Sequence, residues 1–149
     1  MRNEFRTLRL QQLDRTLKPF RTAAKKPRPQ KGWLRAIREA AGISASEVAR
    51  TLKTSRGLPA QLEKAEAEDR ITLKSLRAAA NALGCDLVYA LVPKQESLRK
   101  LVEDRARAQA KRQILSVEHS MALENQAVGR VDEMVEAETK RRLRKRGLE

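Results

Sequence analysis

Ser44-Ala45-Ser46-Glu47-Val48-Ala49-Arg50-Thr51-Leu52-Lys53-Thr54-Ser55-Arg56-Gly57-Leu58-Pro59-Ala60-Gln61-Leu62 carries two short helices and the turn between them. Ser44-x-x-Glu47 has the form of a capping box, in which the hydroxyl and the carboxylate each satisfy a backbone donor of the first turn. Val48, Ala49 and Leu52 then supply an inward face. Lys53-Thr54-Ser55 makes a tight turn, and Leu58, Leu62 and Ala65 line the helix after it.

The same reading extends in both directions. Upstream, Trp33, Ala36, Ile37, Ala40 and Ala41 share a helical face, and Gly42 suits a left-handed stop. Downstream, Glu66 to Ile71 reads as a polar loop. Thr72 then caps a helix through Leu83, with Leu73, Leu76, Ala80 and Leu83 inside and Gly84 as its stop. Leu87 to Val92 is too short for a helix, is apolar on both alternating faces and ends at Pro93, which predicts a buried strand. A lone strand has two unpaired edges. The cheapest solution is pairing with the same strand of a second copy, which makes a dimer; the alternatives are a buried extended segment or a hairpin partner elsewhere in the chain.

Phe5, Leu8, Leu13 and Leu17 form a helical stripe that predicts a short N-terminal helix ending at Pro19. Lys18 to Gly32, with three prolines and dense Lys and Arg, reads as an extended linker. Beyond Ser97, Leu98, Leu101, Val102 and Ala108 open a long helix that Leu115, Val117 and Met121 continue toward Val128. Gly129 breaks it before a last helix with Val131, Met134 and Val135, and Lys140 to Arg146 is frayed or disordered. The expectation is a mainly α protein. It has an N-terminal helix and basic linker (1–32), a helical domain with one short dimerising strand (33–93), and a long C-terminal helical extension with a basic tail (94–149).

Composition narrows the function. Among 149 residues, 33 Lys and Arg against 19 Asp and Glu leave a formal net charge of +14. The excess is greatest before Gly32, where ten basic residues face two acidic ones, and it favours a polyanion partner. One cysteine (Cys85) and one histidine (His119) exclude a disulfide within the chain and a zinc cluster. There is no nucleophile–base pair and no Gly-rich phosphate loop, so neither enzyme activity nor a cofactor is expected. Nor is there an apolar run of membrane-spanning length or a hydrophobic signal core, so a cytoplasmic location is expected.

Two helices joined by a tight turn within a set of four resemble a helix-turn-helix domain of the phage-repressor-like (Xre) class, from Trp33 to about Leu83. In that class the third helix enters the major groove and the N-terminus of the second meets phosphate. The resemblance places Ser44 and Ser46 near phosphate and Arg56, Gln61 and Lys64 at groove contacts. Arg pairs bidentately with guanine and Gln with adenine. Lys25, Lys26 and Arg28 are candidates for an N-terminal arm on phosphates or in the minor groove. The sequence departs from the class at Lys53, where the turn usually has glycine, and at Ala45, where glutamine is usual. It departs again at Pro59, which removes a donor inside the recognition helix unless that helix starts later.

Leu8-Arg9-Leu10-Gln11-Gln12-Leu13-Asp14, Ile71-Thr72-Leu73-Lys74-Ser75-Leu76 and Leu83-Gly84-Cys85-Asp86-Leu87-Val88-Tyr89-Ala90-Leu91-Val92-Pro93 resemble the family called mobile mystery protein A, over nearly the whole chain. That resemblance implies an antitoxin paired with a Fic-domain toxin, an enzyme class that transfers AMP from ATP to a protein hydroxyl. Ser120-Met121-Ala122-Leu123-Glu124-Asn125 matches the Fic inhibitory pattern of Ser or Thr, three residues, Glu, then Gly or Asn. On a helix Ser120 and Glu124 lie one turn apart on one face. In the family the glutamate occupies the toxin arginine that would hold the γ-phosphate of ATP, so the α-phosphate is not aligned for transfer. Glu118 to Glu138 holds six acidic residues against one Arg, which suits a cationic cleft or, more simply, a solvated helix face.

The resemblance therefore implies an antitoxin acting through Ser120, Glu124 and Asn125 that also represses its operon by binding operator DNA. The alternatives are a helix-turn-helix regulator with no Fic-inhibitory role and a nonspecific nucleic-acid coat.

Overall fold

A computed structural model describes residues 2–119 and 128–148, with side chains for 4–117 and 130–148. The described residues form α1 (Arg2–Ala24), α2 (Trp33–Ala40), α3 (Ala45–Thr51), α4 (Leu58–Ala67), α5 (Leu73–Ala82), α6 (Leu98–His119) and α7 (Val128–Lys145), and contain no strand. The chain is mainly helical. It divides into two compact units, one of Ala24–Ala90 and one of Met1–Ala23 with Leu91–Glu149.

In the first unit the local signals act as their chemistry demands. Ser44 N–H donates to Glu47 Oε2 at 2.7 Å, and Glu47 N–H donates to Ser44 Oγ at 3.2 Å, so the capping box is complete. Thr72 Oγ1 accepts from Ser75 N–H and starts α5. Gly42 stops α2 at φ 68°. Lys53 closes α3 in the same left-handed region, at φ 55°, with Thr54 N–H bonded to the Ala49 carbonyl. Leu34, Val48, Ala49, Pro59, Ala79 and Ala80 are buried, with Leu62 and Leu83 half-buried beside them.

Three expectations for this unit need correction. Trp33 is 54% exposed, and Ala40, Ala41 and Leu73 are also exposed; Leu34 is the buried residue of α2. Glu66 belongs to α4, not to a loop, and it is buried. Its carboxylate accepts from Trp33 N–H at 2.8 Å and Leu34 N–H at 2.9 Å, so a residue more than thirty positions away fixes where α2 begins. Residues 85–93 are irregular: no described segment pairs with Leu87 to Val92, and Val88, Tyr89 and Leu91 are exposed.

In the second unit α6 and α7 pack as an antiparallel pair around Ala110, Ile114 and Val135, with Val131 against them. Ala106 and Ala110 have no exposed surface, and their small side chains let the backbones approach closely. The basic tail is not frayed. α7 runs to Lys145, Arg142 and Arg146 both bond to Gln109 Oε1, and Leu148 is buried.

Helix α1 also departs from expectation, because it passes through Pro19 to Ala24. Pro19 and Arg15, whose carbonyl loses its donor there, are both exposed, so solvent reaches the gap. Of the expected stripe, Phe5, Leu8 and Leu13 face outward and only Leu17 is half-buried. The half-buried face combines Leu10, Leu17 and Phe20 with polar residues that bond to the rest of the unit. Thr7 donates to the Gly147 carbonyl, and the Asp14 carboxylate accepts from Leu98 N–H at 2.7 Å, capping α6 together with Ser97.

Candidate nucleic-acid interface

Helices α3 and α4 and the link between them carry five of the residues singled out from the sequence. Ser44 caps α3 and Ser46 lies in its first turn, both exposed. Arg56 is exposed in the link, before α4. Gln61 and Lys64, three residues apart on α4, share its exposed face, while Leu62 and Glu63 turn toward the interior. Pro59 does not break this helix. Gly57 is the cap and Pro59 lies in the first turn, where its missing donor costs nothing. The helix thus starts at Leu58, and Pro59 is buried beneath it.

The electrostatics of α4 resolve an apparent conflict. Glu63, Glu66, Glu68 and Asp69 would repel a polyanion if left bare. Each is engaged within the unit. Glu63 takes two hydrogen bonds from Arg38, at 2.5 and 3.1 Å, and this contact raises the Arg38 pKa above its usual value. Glu66 caps α2. Glu68 pairs with Arg70, whose hydrogen bond holds the carboxyl below its usual range. Asp69 pairs with Arg28 at 2.8 Å. Gln61, Lys64 and Arg56 are exposed beside these neutralised acids, joined by Arg50 and Lys53.

The basic arm is split by the structure. Lys25 and Lys26 are exposed, but Arg28 bonds to the Glu66 and Ala67 carbonyls and to Asp69. Sequence reasoning missed Arg38–Glu63 and the role of Glu66. For Glu66 the available signal was an acid one turn from Leu62, on the apolar side of its helix.

Ser120, Glu124 and Asn125 lie outside the described residues, in the stretch that joins α6 to α7, as does the expected continuation of α6 toward Val128. Among the described residues no group of three or more His, Cys, Asp and Glu could hold a metal ion, and no helix is long and apolar enough to cross a membrane. Compared with family models, curated proteins and solved structures, the chain matches none of them.

Proposed function

We propose that this chain is a helix-turn-helix DNA-binding antitoxin: α3 and α4 bind operator DNA, and Ser120, Glu124 and Asn125 inhibit a Fic-domain adenylyltransferase. The observation that carries the DNA half is the exposed face of α4, where Gln61 and Lys64 stand clear while the neighbouring carboxylates are internally paired. Ser44 and Ser46 meet phosphate at the start of α3, and Arg56 and Gln61 read bases. Binding of the upstream DNA at moderate salt tests this. Arg56→Ala and Gln61→Ala should each cost about 1–3 kcal/mol of discrimination at one base pair. Equal affinity for unrelated duplexes would favour a nonspecific coat.

The antitoxin half rests on the pattern at Ser120 to Asn125 and on the family resemblance of the sequence. AMP transfer by the neighbouring Fic protein, copurified with wild type or with Glu124→Gly, tests it. Wild type should block labelling, and the variant should permit it while still bound. Identical behaviour would leave a DNA-binding regulator. A homodimer through Leu87 to Val92 belongs to the same reading, supported by the exposure of Val88, Tyr89 and Leu91.

A further inference from the structure

Residues 28–34 are pinned to the last turn of α4 from two sides. Arg28 lays its guanidinium across that turn, donating to the Glu66 carbonyl at 3.2 Å, the Ala67 carbonyl at 3.1 Å and Asp69 Oδ1 at 2.8 Å. A planar cation suits the negative end of a helix, and its fork spans several acceptors at once. Asp69 ends α4 in the left-handed region, at φ 56°, with Arg70 N–H returning to the Ala65 carbonyl. From the other side, Glu66 accepts from Trp33 and Leu34. Gly32 sits so close that an added Cβ would lie 2.7 Å from Glu66 Oε2.

We infer that Arg28 is a positioning residue and not a phosphate contact. With Asp69 it fixes the basic pair Lys25-Lys26 beside the C-terminal end of α4, so that arm and helix form one composite surface for a single DNA duplex. The dimensions agree. Gln61 precedes Ala67 by six residues, about 9 Å along a helix. Lys26 lies two residues from Arg28, a reach of about 7 Å. Each length is within the roughly 12 Å width of the major groove, so bases read by Gln61 and a phosphate rim held by Lys26 can belong to one site. The inference rests on the DNA-binding reading of α3 and α4.

The test is salt-dependent affinity of the full chain for its upstream duplex, with melting temperatures measured in parallel. Removing both lysines should lower the slope of log affinity against log salt by about 1.8. Arg28→Ala should weaken binding on the order of tenfold through loss of preorganisation, and should add little once the lysines are gone. Arg28→Lys should not restore binding, because an ammonium cannot fork across two carbonyls and a carboxylate. Asp69→Asn is the sharpest variant. It removes a negative charge, so charge alone would tighten binding, whereas exchanging the carboxylate for a weaker amide acceptor loosens Arg28 and weakens it. Tighter binding by Asp69→Asn, or recovery in Arg28→Lys, overturns the inference while the DNA reading stands. Absence of DNA binding by wild type overturns both.

Discussion

Arg38 and Glu63 meet through two hydrogen bonds, at 2.5 and 3.1 Å, with side chains only 17% and 13% exposed. A third bond, from Arg38 Nη1 to the Ile43 carbonyl at 3.3 Å, ties the pair to the loop between α2 and α3. Three elements of the central unit therefore converge on one guanidinium.

Glu63→Ala leaves that cation without its carboxylate in a mostly dry setting. Stability should fall by about 2–3 kcal/mol, read as a shift in the urea midpoint. Replacing both residues with apolar side chains of similar volume should recover most of the loss. A single variant as stable as wild type would show that the pair contributes nothing net.

Lys53 closes α3 with a left-handed backbone that L side chains adopt at a cost. Lys53→Gly should raise stability by about 0.5–1 kcal/mol, the relief outweighing the greater freedom of glycine in the unfolded chain. Thermal melting checks it. A fall would mean that the lysine stem stabilises the turn by contacts of its own.

Gly32→Ala should be among the costly substitutions in the central unit. Its φ of 85° is strained for alanine, and the new methyl would press on a carboxylate that is already buried and bonded. A loss of about 2 kcal/mol is expected, again from the urea midpoint.

Acid should weaken the fold in a defined window. The Ser44 backbone N–H, and then its hydroxyl, hold the Glu47 carboxyl below its usual value of 4.5; Arg70 does the same for Glu68, and Arg141 for Glu138. A depressed folded value means that the stabilisation is full above pH 4.5 and is lost as pH falls through the lower folded values. The melting temperature should drop below pH 4.5. Glu47→Gln should melt lower than wild type at neutral pH and respond less steeply to acid.

What could be read from the sequence was what is decided within one turn. Ser44 with Glu47, Thr72 with Ser75, and Gly42 as a stop are interactions over three or four residues, and the structure forms them as read. The start of α2 was not legible, because Glu66 sets it from 32 residues away and so turns Leu34 inward in place of Trp33. Pro19 misled for a related reason: the gap it leaves is tolerable only on an exposed face, and exposure depends on tertiary packing. In the candidate interface, Gln61 and Lys64 came from spacing along one helix. The bonds of Arg28 could not be read from the sequence, because its partners lie about forty residues on.

The Asp14 cap on α6 bears on the order in which the chain folds. Asp14 and Leu98 are 84 residues apart, so at about 5–20 residues per second the ribosome makes the acceptor roughly 4–17 seconds before its donor. The central unit needs only Ala24–Ala90, and all of its residues have been made by then. Until α6 is made, Asp14 has only Arg21 of its own helix to pair with, and the half-buried Leu10, Leu17 and Phe20 lack the rest of their unit. The nascent chain thus holds every residue of its middle unit while its first helix still lacks the rest of its own unit, the state in which a chaperone would find it.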